Sequence, residues 1–390
     1  MRPDFATAGF GNPPGLAIYI GIRRKWIMPG YFRSDLADKH PSLVNVPVKR
    51  SMMCLNESCL DPYQAIRDRF LARMERIHLN RYLSPVSDEL HGKLTSYAGY
   101  GLSRENLVWA NGADDILYHI FLAVRENDQA FAVSLAPSYF DYKTFCQMVG
   151  LKIRFVELNA DFSFDTDAYL QLAADPKCRL AILCNPNNPS GNLYAPEQLR
   201  NIVEALPDKP VLIDETYFEF SGATFAGELE RHPNLILVRS FSKAFSGAGL
   251  RFGYAISFGE NIYSLRKVLT TFHTSILNQA FALTILENKE IFLNQVKEIK
   301  SARSAMYLKM REIPGLTVHP SATNFLTFSA GEGTSGLFSY LQDREIAVRD
   351  VGLHRRLKNH LRVTVSCAED NAAFLEAVAV GTGLSTNYTN

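Results

Sequence analysis

The 390-residue chain lacks any run of about 18 apolar residues, the length of a candidate membrane span, so no membrane segment is expected. It also lacks an excess of basic charge, because 41 Lys and Arg residues stand against 40 Asp and Glu residues. A protein that binds nucleic acid would carry a clear basic excess. Cysteine is scarce: there are six, no two with the C-x-x-C spacing, in a chain too long to need disulfide bonds. We therefore expect a cytoplasmic protein with reduced thiols, no metal site and no membrane or nucleic-acid partner.

A regular alternation of short apolar runs with helical periods begins at about residue 104. Strands that alternate with helices predict an α/β protein whose central sheet is mainly parallel and covered by helices on both faces. Ligands of such proteins bind beyond the C-terminal ends of the strands. The predicted strands are 107–110, 130–134, 153–158, 180–184, 211–214, 235–238 and 254–257.

The pattern changes after about residue 275, where one long helical period over 288–311 is followed by candidate strands at 324–328 and 361–365. We predict a large domain over residues 81–275. A smaller α+β domain is predicted to combine residues 51–80 with 276–385, because the two ends of a chain often return to one region. Residues 1–50, which include a stretch rich in Gly and Pro, are predicted to form an N-terminal arm.

Polar residues of several kinds follow the predicted strands. They share one position, at or just beyond the C-terminal end of a strand, where α/β proteins build their sites. The set combines an amide, a carboxylate, a phenol, two hydroxyls, an amine and a guanidinium. These residues are Asn188, Asp214, Tyr217, Ser240, Ser242, Lys243 and Arg251.

This set of groups fits the ring of pyridoxal phosphate. Lys243 supplies an amine that can form a Schiff base with the cofactor's aldehyde. A buried Asp214 would favour the protonated pyridine nitrogen, which lets the ring act as an electron sink. Asn188 and Tyr217 are suitable neutral donors for the ring oxygen.

The same set can hold the cofactor's phosphate. Ser240 and Ser242 offer hydroxyls, and Arg251 offers a cation. A helix N-terminus would add backbone donors, and Asp114 stands where it could cap or lead the helical run 116–124. The sequence therefore predicts a phosphate cradle between this helix and the lysine segment.

Each of these residues also has a plain structural explanation. A lysine after a strand is usually a solvated surface residue, and Asn-Pro and Pro-Ser-Gly are ordinary turn signals. Asp214 is compatible with a helix cap, and Arg251 with a surface charge. The prediction therefore depends on the conjunction of the residues, in this order and at this edge of the sheet.

Several longer segments resemble the fold-type I pyridoxal-phosphate aminotransferases, in particular the histidinol-phosphate aminotransferase group, from about residue 55 to about residue 378. The lysine segment is the most specific of them, whereas the Asn-Pro segment is shared by aminotransferases generally. The resembling segments are Asn-Arg-Tyr at 80–82, Asn-Gly-Ala-Asp-Asp at 111–115, Pro-Ser-Tyr at 137–139, Asn-Pro-Asn-Asn-Pro-Ser-Gly at 185–191, Asp-Glu-Thr-Tyr-Phe-Glu-Phe at 214–220, Ser-Phe-Ser-Lys-Ala-Phe-Ser-Gly-Ala-Gly-Leu-Arg at 240–251, Ala-Val-Arg-Asp at 347–350 and Leu-Arg-Val-Thr-Val at 361–365.

The resemblance implies a role for each matching residue. Lys243 would both bind the cofactor and move the proton. Tyr139 would stack on the cofactor ring. Ala113 and Asp114 would meet the phosphate at the start of the helix. Tyr82 would reach the cofactor of the partner subunit, which implies a homodimer with shared active sites.

The substrate-binding residues follow from the same resemblance. Arg362 would bind an anionic group of the substrate, and Arg349 would be a second substrate arginine, although a salt bridge at the rim is an alternative for both. The family's Asn-Glu-Asn-Pro segment reads Asn-Glu-Ser-Cys at 56–59 here, and its upstream Tyr-x-Pro-Gly element has no clear counterpart. Residues 354–360 are basic, and they either border an anion-binding pocket or form a solvated loop.

We predict a pyridoxal-phosphate-dependent aminotransferase of amino-acid biosynthesis. It would move an amino group between an amino acid, or a phosphorylated amine similar to histidinol phosphate, and a 2-oxo acid. A decarboxylase similar to threonine-phosphate decarboxylase, or a biosynthetic cyclase or oxidase, remains an alternative on the same cofactor. A non-catalytic regulator is disfavoured, because the chain has no added DNA-binding module and no basic excess.

Overall fold

The computed structural model describes Arg33 and residues 46–385. Most of the predicted N-terminal arm, residues 1–50, therefore lies outside the described residues. The helices are α1 Pro62–Met74, α2 Val86–Ala98, α3 Ala113–Val124, α4 Asp141–Val149, α5 Thr166–Ala174, α6 Pro196–Ala205, α7 Phe218–Ser221, α8 Gly259–Val268, α9 Ile276–Glu287, α10 Lys289–Arg311, α11 Thr334–Asp343 and α12 Ala368–Ser385. The strands are β1 Ser51–Met52, β2 Leu107–Ala110, β3 Phe131–Ala136, β4 Lys152–Glu157, β5 Cys178–Cys184, β6 Val211–Asp214, β7 Leu235–Ser240, β8 Gly253–Ser257, β9 Thr317–Val318, β10 Phe325–Ser329, β11 Ile346–Ala347, β12 Arg349–Asp350 and β13 Leu361–Thr364.

The central sheet has seven strands in the order β2-β8-β7-β6-β5-β3-β4. Four neighbouring pairs are parallel, and only β8 runs antiparallel, against both β7 and β2. The predicted α/β class with a mainly parallel sheet is confirmed. Because the other six strands share one direction, their C-terminal ends meet at one edge of the sheet.

Both faces of the central sheet are buried, and successive side chains along a strand belong to different hydrophobic clusters. On β6, Val211 and Ile213 belong to one hydrophobic cluster, whereas Leu212 between them belongs to another. Successive side chains of a strand point to opposite faces, so a continuous apolar run requires helices on both sides. Residues of α2, α5, α6 and α9 cover one face, and residues of α3, α4 and α8 cover the other.

A second sheet lies toward the C-terminal part of the chain. Its four strands are antiparallel in the order β12-β13-β10-β9, and α10, α11 and α12 pack around it in a cluster of their own. The strand β1 pairs with β11 in parallel, which brings the chain near residue 52 beside this sheet.

Two helices predicted for the small domain pack with the large sheet instead. Ile66 of α1, and Ala280 and Leu283 of α9, belong to the same cluster as the residues of β6. The domain boundaries at residues 80 and 275 stay a prediction, and these contacts favour placing both helices with the large domain. No helix among residues 46–385 has the length and apolar character needed to cross a membrane.

Gly253, the first residue of β8, stands directly behind the start of α3. A Cβ atom at this position would lie 2.3 Å from the backbone nitrogen of Ala113 and 2.5 Å from the carbonyl carbon of Gly112. We expect Gly253→Ala to lower the free energy of unfolding by about 1–3 kcal/mol, the usual cost of overpacking a filled interior. Denaturant unfolding measures this change. Gly249→Ala is the matched control, because a Cβ there meets no atom within 4 Å, and an equal loss in both variants would contradict the clash.

Candidate functional site

The shared edge of the central sheet collects the predicted site residues. Ten of them stand at the end of a strand or in the connection that follows it, or, for Arg251, two residues before the start of β8; Tyr82, Arg349 and Arg362 come from other parts of the fold. Because β8 runs opposite to its neighbours, its first residue lies at the edge where β7 ends. Residues distant in sequence therefore come from β2, β3, β5, β6, β7 and β8 to one region.

Lys243 lies in the loop after β7, and its side chain is half-buried. Its Nζ donates a hydrogen bond to the backbone oxygen of Leu55 at 3.0 Å. Burial and, to a lesser extent, the nearby guanidinium of Arg362 lower the pKa of Lys243 to about 8. A substantial fraction of this amine is therefore uncharged in mildly alkaline solution, as a nucleophile or a base must be.

Asp214, the last residue of β6, is a buried carboxylate held by neutral donors. Its Oδ2 accepts a hydrogen bond from the hydroxyl of Tyr142 at 2.7 Å, and its Oδ1 accepts one from the backbone nitrogen of Thr216 at 3.0 Å. Burial raises the pKa of Asp214. None of the salt bridges within residues 46–385 involves this carboxylate, so it is suited to a cationic group that enters from outside the chain.

Tyr217 and Asn188 form the next part of the site. The hydroxyl oxygen of Tyr217 lies 2.9 Å from Nδ2 of Asn56 and 3.5 Å from Nδ2 of Asn188. The other end of the Asn188 amide, Oδ1, accepts a hydrogen bond from Nη1 of Arg362 at 2.5 Å. Nη2 of Arg362 donates to the backbone oxygen of Cys54 at 3.0 Å, while its Nε is buried without a partner.

The start of α3 forms a cradle with Arg251. A helix leaves the N–H groups of its first turn without partners inside the helix, and Ala113 and Asp114 occupy that turn. Gly112 has a φ of +93°, which favours glycine. A Cβ atom at this position would lie only 2.6 Å from Nη2 of Arg251, so the absence of a side chain makes room for the guanidinium. Asp114 accepts hydrogen bonds from Arg251 and from the hydroxyl of Tyr139, each at 3.0 Å.

Two hydroxyls lie on the other side of this cradle. Ser240 ends β7 and Ser242 follows it, and both are buried. The backbone nitrogen of Ser242 donates a hydrogen bond to Oγ of Ser240 at 3.1 Å, which holds the two residues together in a turn. Hydroxyls, free helix donors and a guanidinium together form an arrangement that suits a phosphate.

The remaining predicted residues are less closely engaged with this region. Arg349 lies opposite Arg362 across the β12–β13 pair, but it is exposed. Tyr82 is 76% exposed and stacks on Phe272 with ring centroids 4.5 Å apart. The roles of Arg349 and Tyr82 toward a substrate or a partner subunit stay predictions.

The basic segment 354–360 forms ion pairs with Glu157, which is not one of the predicted site residues. Nε of Arg355 and Nε2 of His354 lie 3.3 and 3.4 Å from the two carboxylate oxygens of Glu157, at the end of β4. The side chain of Arg355 remains 72% exposed. These contacts favour a solvated loop over the border of an anion-binding pocket.

Two residues of the site escaped the sequence analysis. Tyr142 stands three residues after Tyr139, one helical turn further on, and this spacing was the available signal. Asn56 begins the segment 56–59, whose last two residues depart from the related family's Asn-Glu-Asn-Pro pattern. Its positive φ of 55° fits asparagine better than most residues, but this angle has no signature in the sequence.

The chain resembles known proteins along most of its length. A family model described as aminotransferase class I and II matches residues 52–379. The histidinol-phosphate aminotransferase of Aquifex aeolicus is 31% identical over 326 residues, which are 83% of this chain and 90% of the relative. The histidinol-phosphate aminotransferase of Thermococcus kodakarensis is 32% identical over 323 residues, again 83% of this chain and 90% of the relative.

Solved structures share the fold at lower identity. The histidinol-phosphate aminotransferase of Sinorhizobium meliloti in complex with pyridoxal-5'-phosphate superposes with a TM-score of 0.78 at 22% identity, over 92% of this chain and 99% of that chain. The L-threonine-O-3-phosphate decarboxylase of Porphyromonas gingivalis gives 0.72 at 20% identity, over 86% of this chain and 99% of that chain. At these identities the likeness is one of fold.

Proposed function

Because the chain belongs to the aminotransferase class I and II family and is a pyridoxal-phosphate-dependent aminotransferase of fold type I, we propose that Lys243 is the residue to which its cofactor is joined. One observation carries this proposal: Lys243 is a half-buried amine of lowered pKa at the sheet edge that also holds Asp214 and Tyr217. A lysine whose surroundings disfavour its charge, and which forms no salt bridge among the described residues, is typical of a functional site.

The described residues fit the cofactor at each of its groups. When bound, pyridoxal phosphate supplies an aldehyde that condenses with amines and a pyridine ring that accepts electrons. Asp214 would hold a proton on the ring nitrogen, and Tyr217 and Asn188 would face the ring oxygen. Gly112 supports the fit at the phosphate end, because its missing side chain lets the guanidinium of Arg251 come close to the start of α3.

Lys243 would also act on protons. An amine of pKa about 8 can accept a proton from the α-carbon of the bound amine substrate and then give it up again near neutral pH. Its hydrogen bond to the backbone oxygen of Leu55 offers a place for the free Nζ between these events. Catalysis by this residue would need no further base among the neighbouring side chains.

The substrate class follows from charge. Arg362 is buried, its Nε lacks a partner, and no carboxylate within residues 46–385 forms a salt bridge with it. A buried guanidinium of this kind favours an anionic ligand group. We propose that the amine substrate is an amino acid or a phosphorylated amine, and that a 2-oxo acid receives the amino group. The names of the relatives make histidinol phosphate the first compound to test.

A substrate screen with matched arginine variants tests this proposal. The purified holoenzyme is mixed with histidinol phosphate, histidinol, and common amino acids, with and without 2-oxoglutarate, while absorbance reports the state of the cofactor. We expect Arg362→Gln to lower kcat/KM for the anionic amine by about 10- to 100-fold, the value of one charge-assisted hydrogen bond. Arg355→Gln is the control, because Arg355 pairs with Glu157 at the surface. Equal use of histidinol and its phosphate would contradict an anionic pocket.

The decarboxylase alternative is less supported. The relatives of 30% identity or more described above are aminotransferases, whereas the decarboxylase shares the fold at 20% identity. The same screen separates the two reactions, since a decarboxylase would release carbon dioxide and would not need the 2-oxo acid.

The predicted assembly and location belong to this proposal as well. The exposed stacked pair of Tyr82 and Phe272 supports a homodimer in which Tyr82 reaches the partner subunit's site. All six cysteines are free thiols in the structure, which supports a cytoplasmic location. Sedimentation of the purified protein measures the assembly directly.

A further inference from the structure

Asn56 is buried, at 1% exposure, and is held on three sides. Its backbone nitrogen donates to Oγ1 of Thr364 at 2.9 Å, and its backbone oxygen accepts from Nδ2 of Asn324 at 3.1 Å. Its side chain meets Tyr217 and Thr364. Thr364 belongs to β13 of the four-stranded sheet, and Asn324 directly precedes β10 of the same sheet. Tyr217, in contrast, follows β6 of the central sheet.

The contacts fix which end of the Asn56 amide faces Tyr217. Oγ1 of Thr364 accepts the backbone N–H of Asn56, so its own proton is free to be donated to Oδ1 of Asn56, 3.4 Å away. The Nδ2 end must then face the hydroxyl of Tyr217. Asn188 is oriented in the same way, because its Oδ1 faces Arg362, which has no acceptor.

Two amide donors therefore face one phenol oxygen. The hydroxyl of Tyr217 accepts from both, so its own proton points away from both amides. Tyr217 is buried, and a buried hydroxyl proton needs an acceptor. The proton of Tyr217 is thus left for an acceptor other than these two amides, and the ring oxygen of the cofactor would be that acceptor when bound.

The backbone at Asn56 has a second consequence. The residues just before it direct their carbonyl oxygens into the site: that of Leu55 accepts from Nζ of Lys243, and that of Cys54 accepts from Arg362. The left-handed φ of Asn56, +55°, sets the direction in which the chain leaves these carbonyls. The side chain of Asn56 thus contacts the hydroxyl of Tyr217, and the backbone next to it places the carbonyl oxygens that bind Lys243 and Arg362.

We propose that Asn56 is a positioning residue of this aminotransferase: its amide holds the hydroxyl of Tyr217 as a donor toward the cofactor's ring oxygen. This inference rests on the proposed function of Lys243 and Tyr217. A donor held against the ring oxygen withdraws its negative charge, which lowers the proton affinity of the nitrogen that joins the cofactor to the lysine. Loss of the donor therefore raises the pH at which the bound cofactor changes its absorbance.

The test compares Asn56→Gly, Tyr217→Phe and the double variant as holoenzymes. Glycine removes the amide but tolerates the left-handed backbone. The absorbance of the bound cofactor is followed against pH, and the midpoint is the pH at which half of the change has occurred. We expect Asn56→Gly to raise this midpoint by about one pH unit, the effect of one ordinary hydrogen bond. The double variant should shift no further than Tyr217→Phe alone, because Asn56 acts through that hydroxyl.

Further variants separate this role from a structural one. Asn56→Ala also removes the amide, so it should give the same midpoint as Asn56→Gly. Because alanine is strained in the left-handed backbone conformation, this variant should also have a lower melting temperature. Asn371→Ala removes another buried asparagine, whose side chain bonds the backbone of Ser366, so the melting temperature should fall and the midpoint should stay. An unchanged midpoint in both Asn56 variants, or additive shifts in the double variant, would overturn the inference. Wild-type protein that stays colourless with pyridoxal phosphate would instead overturn the proposed function.

Discussion

Lys243→Ala is expected to reduce turnover below about one ten-thousandth of the wild-type rate, because the variant loses the residue proposed as both the cofactor's covalent partner and the base that moves the proton. The change is measured as steady-state kcat with the best amine from the substrate screen. The bound cofactor should also keep the absorbance of a free aldehyde, since no amine of the chain remains to condense with it. This second readout shows whether the cofactor still binds when the chemistry is lost.

Two comparisons make the result specific to the position of this lysine. Lys177→Ala removes an exposed lysine far from the sheet edge, and it should leave kcat unchanged. Addition of a small amine such as methylamine to Lys243→Ala should restore part of the turnover, because the removed side chain leaves room in a buried site. Near-wild-type activity in Lys243→Ala without added amine would refute the assignment.

Asp214→Ala is expected to lower kcat by about 1,000-fold, the scale of removing a preorganised charge from a water-excluded site. In the proposed arrangement, Asp214 is the group that favours the protonated form of the ring nitrogen. The buried setting enlarges the effect, because Tyr142 and the backbone of Thr216 hold Asp214 in place and a charge acts more strongly in a buried site. The measurement is single-turnover conversion of the bound cofactor, which separates the chemical step from product release.

A cofactor analogue tests the cause of that loss. Methylation of the pyridine nitrogen gives the ring a permanent positive charge, so the analogue should restore activity to Asp214→Ala far more than to the wild-type protein. Asp128→Ala is the control, because Asp128 pairs with Arg125 at the surface. If the analogue restores nothing although it binds, Asp214 acts on another group.

Much of the fold was predictable because its signals are local. The strands predicted at 107–110 and 211–214 occur in the structure with the predicted bounds. Each is a short, mainly apolar run that follows a polar segment, a signal that lies within a few residues of the chain. The direction of β8 was not predictable in this way, since an apolar run has the same pattern in a parallel and an antiparallel strand.

The candidate site divides along the same line. Sequence alone determined the chemical groups that stand at the strand ends, since each follows its strand within a few residues and the strands share one edge. Only the tertiary structure decided which of these groups meet: Asn56 and Tyr217 are 161 positions apart, and Tyr142 and Asp214 are 72 apart. Such pairs depend on how the small sheet and the helices pack against the large sheet, and the free energy of that packing is a sum over many weak contacts that no single segment encodes.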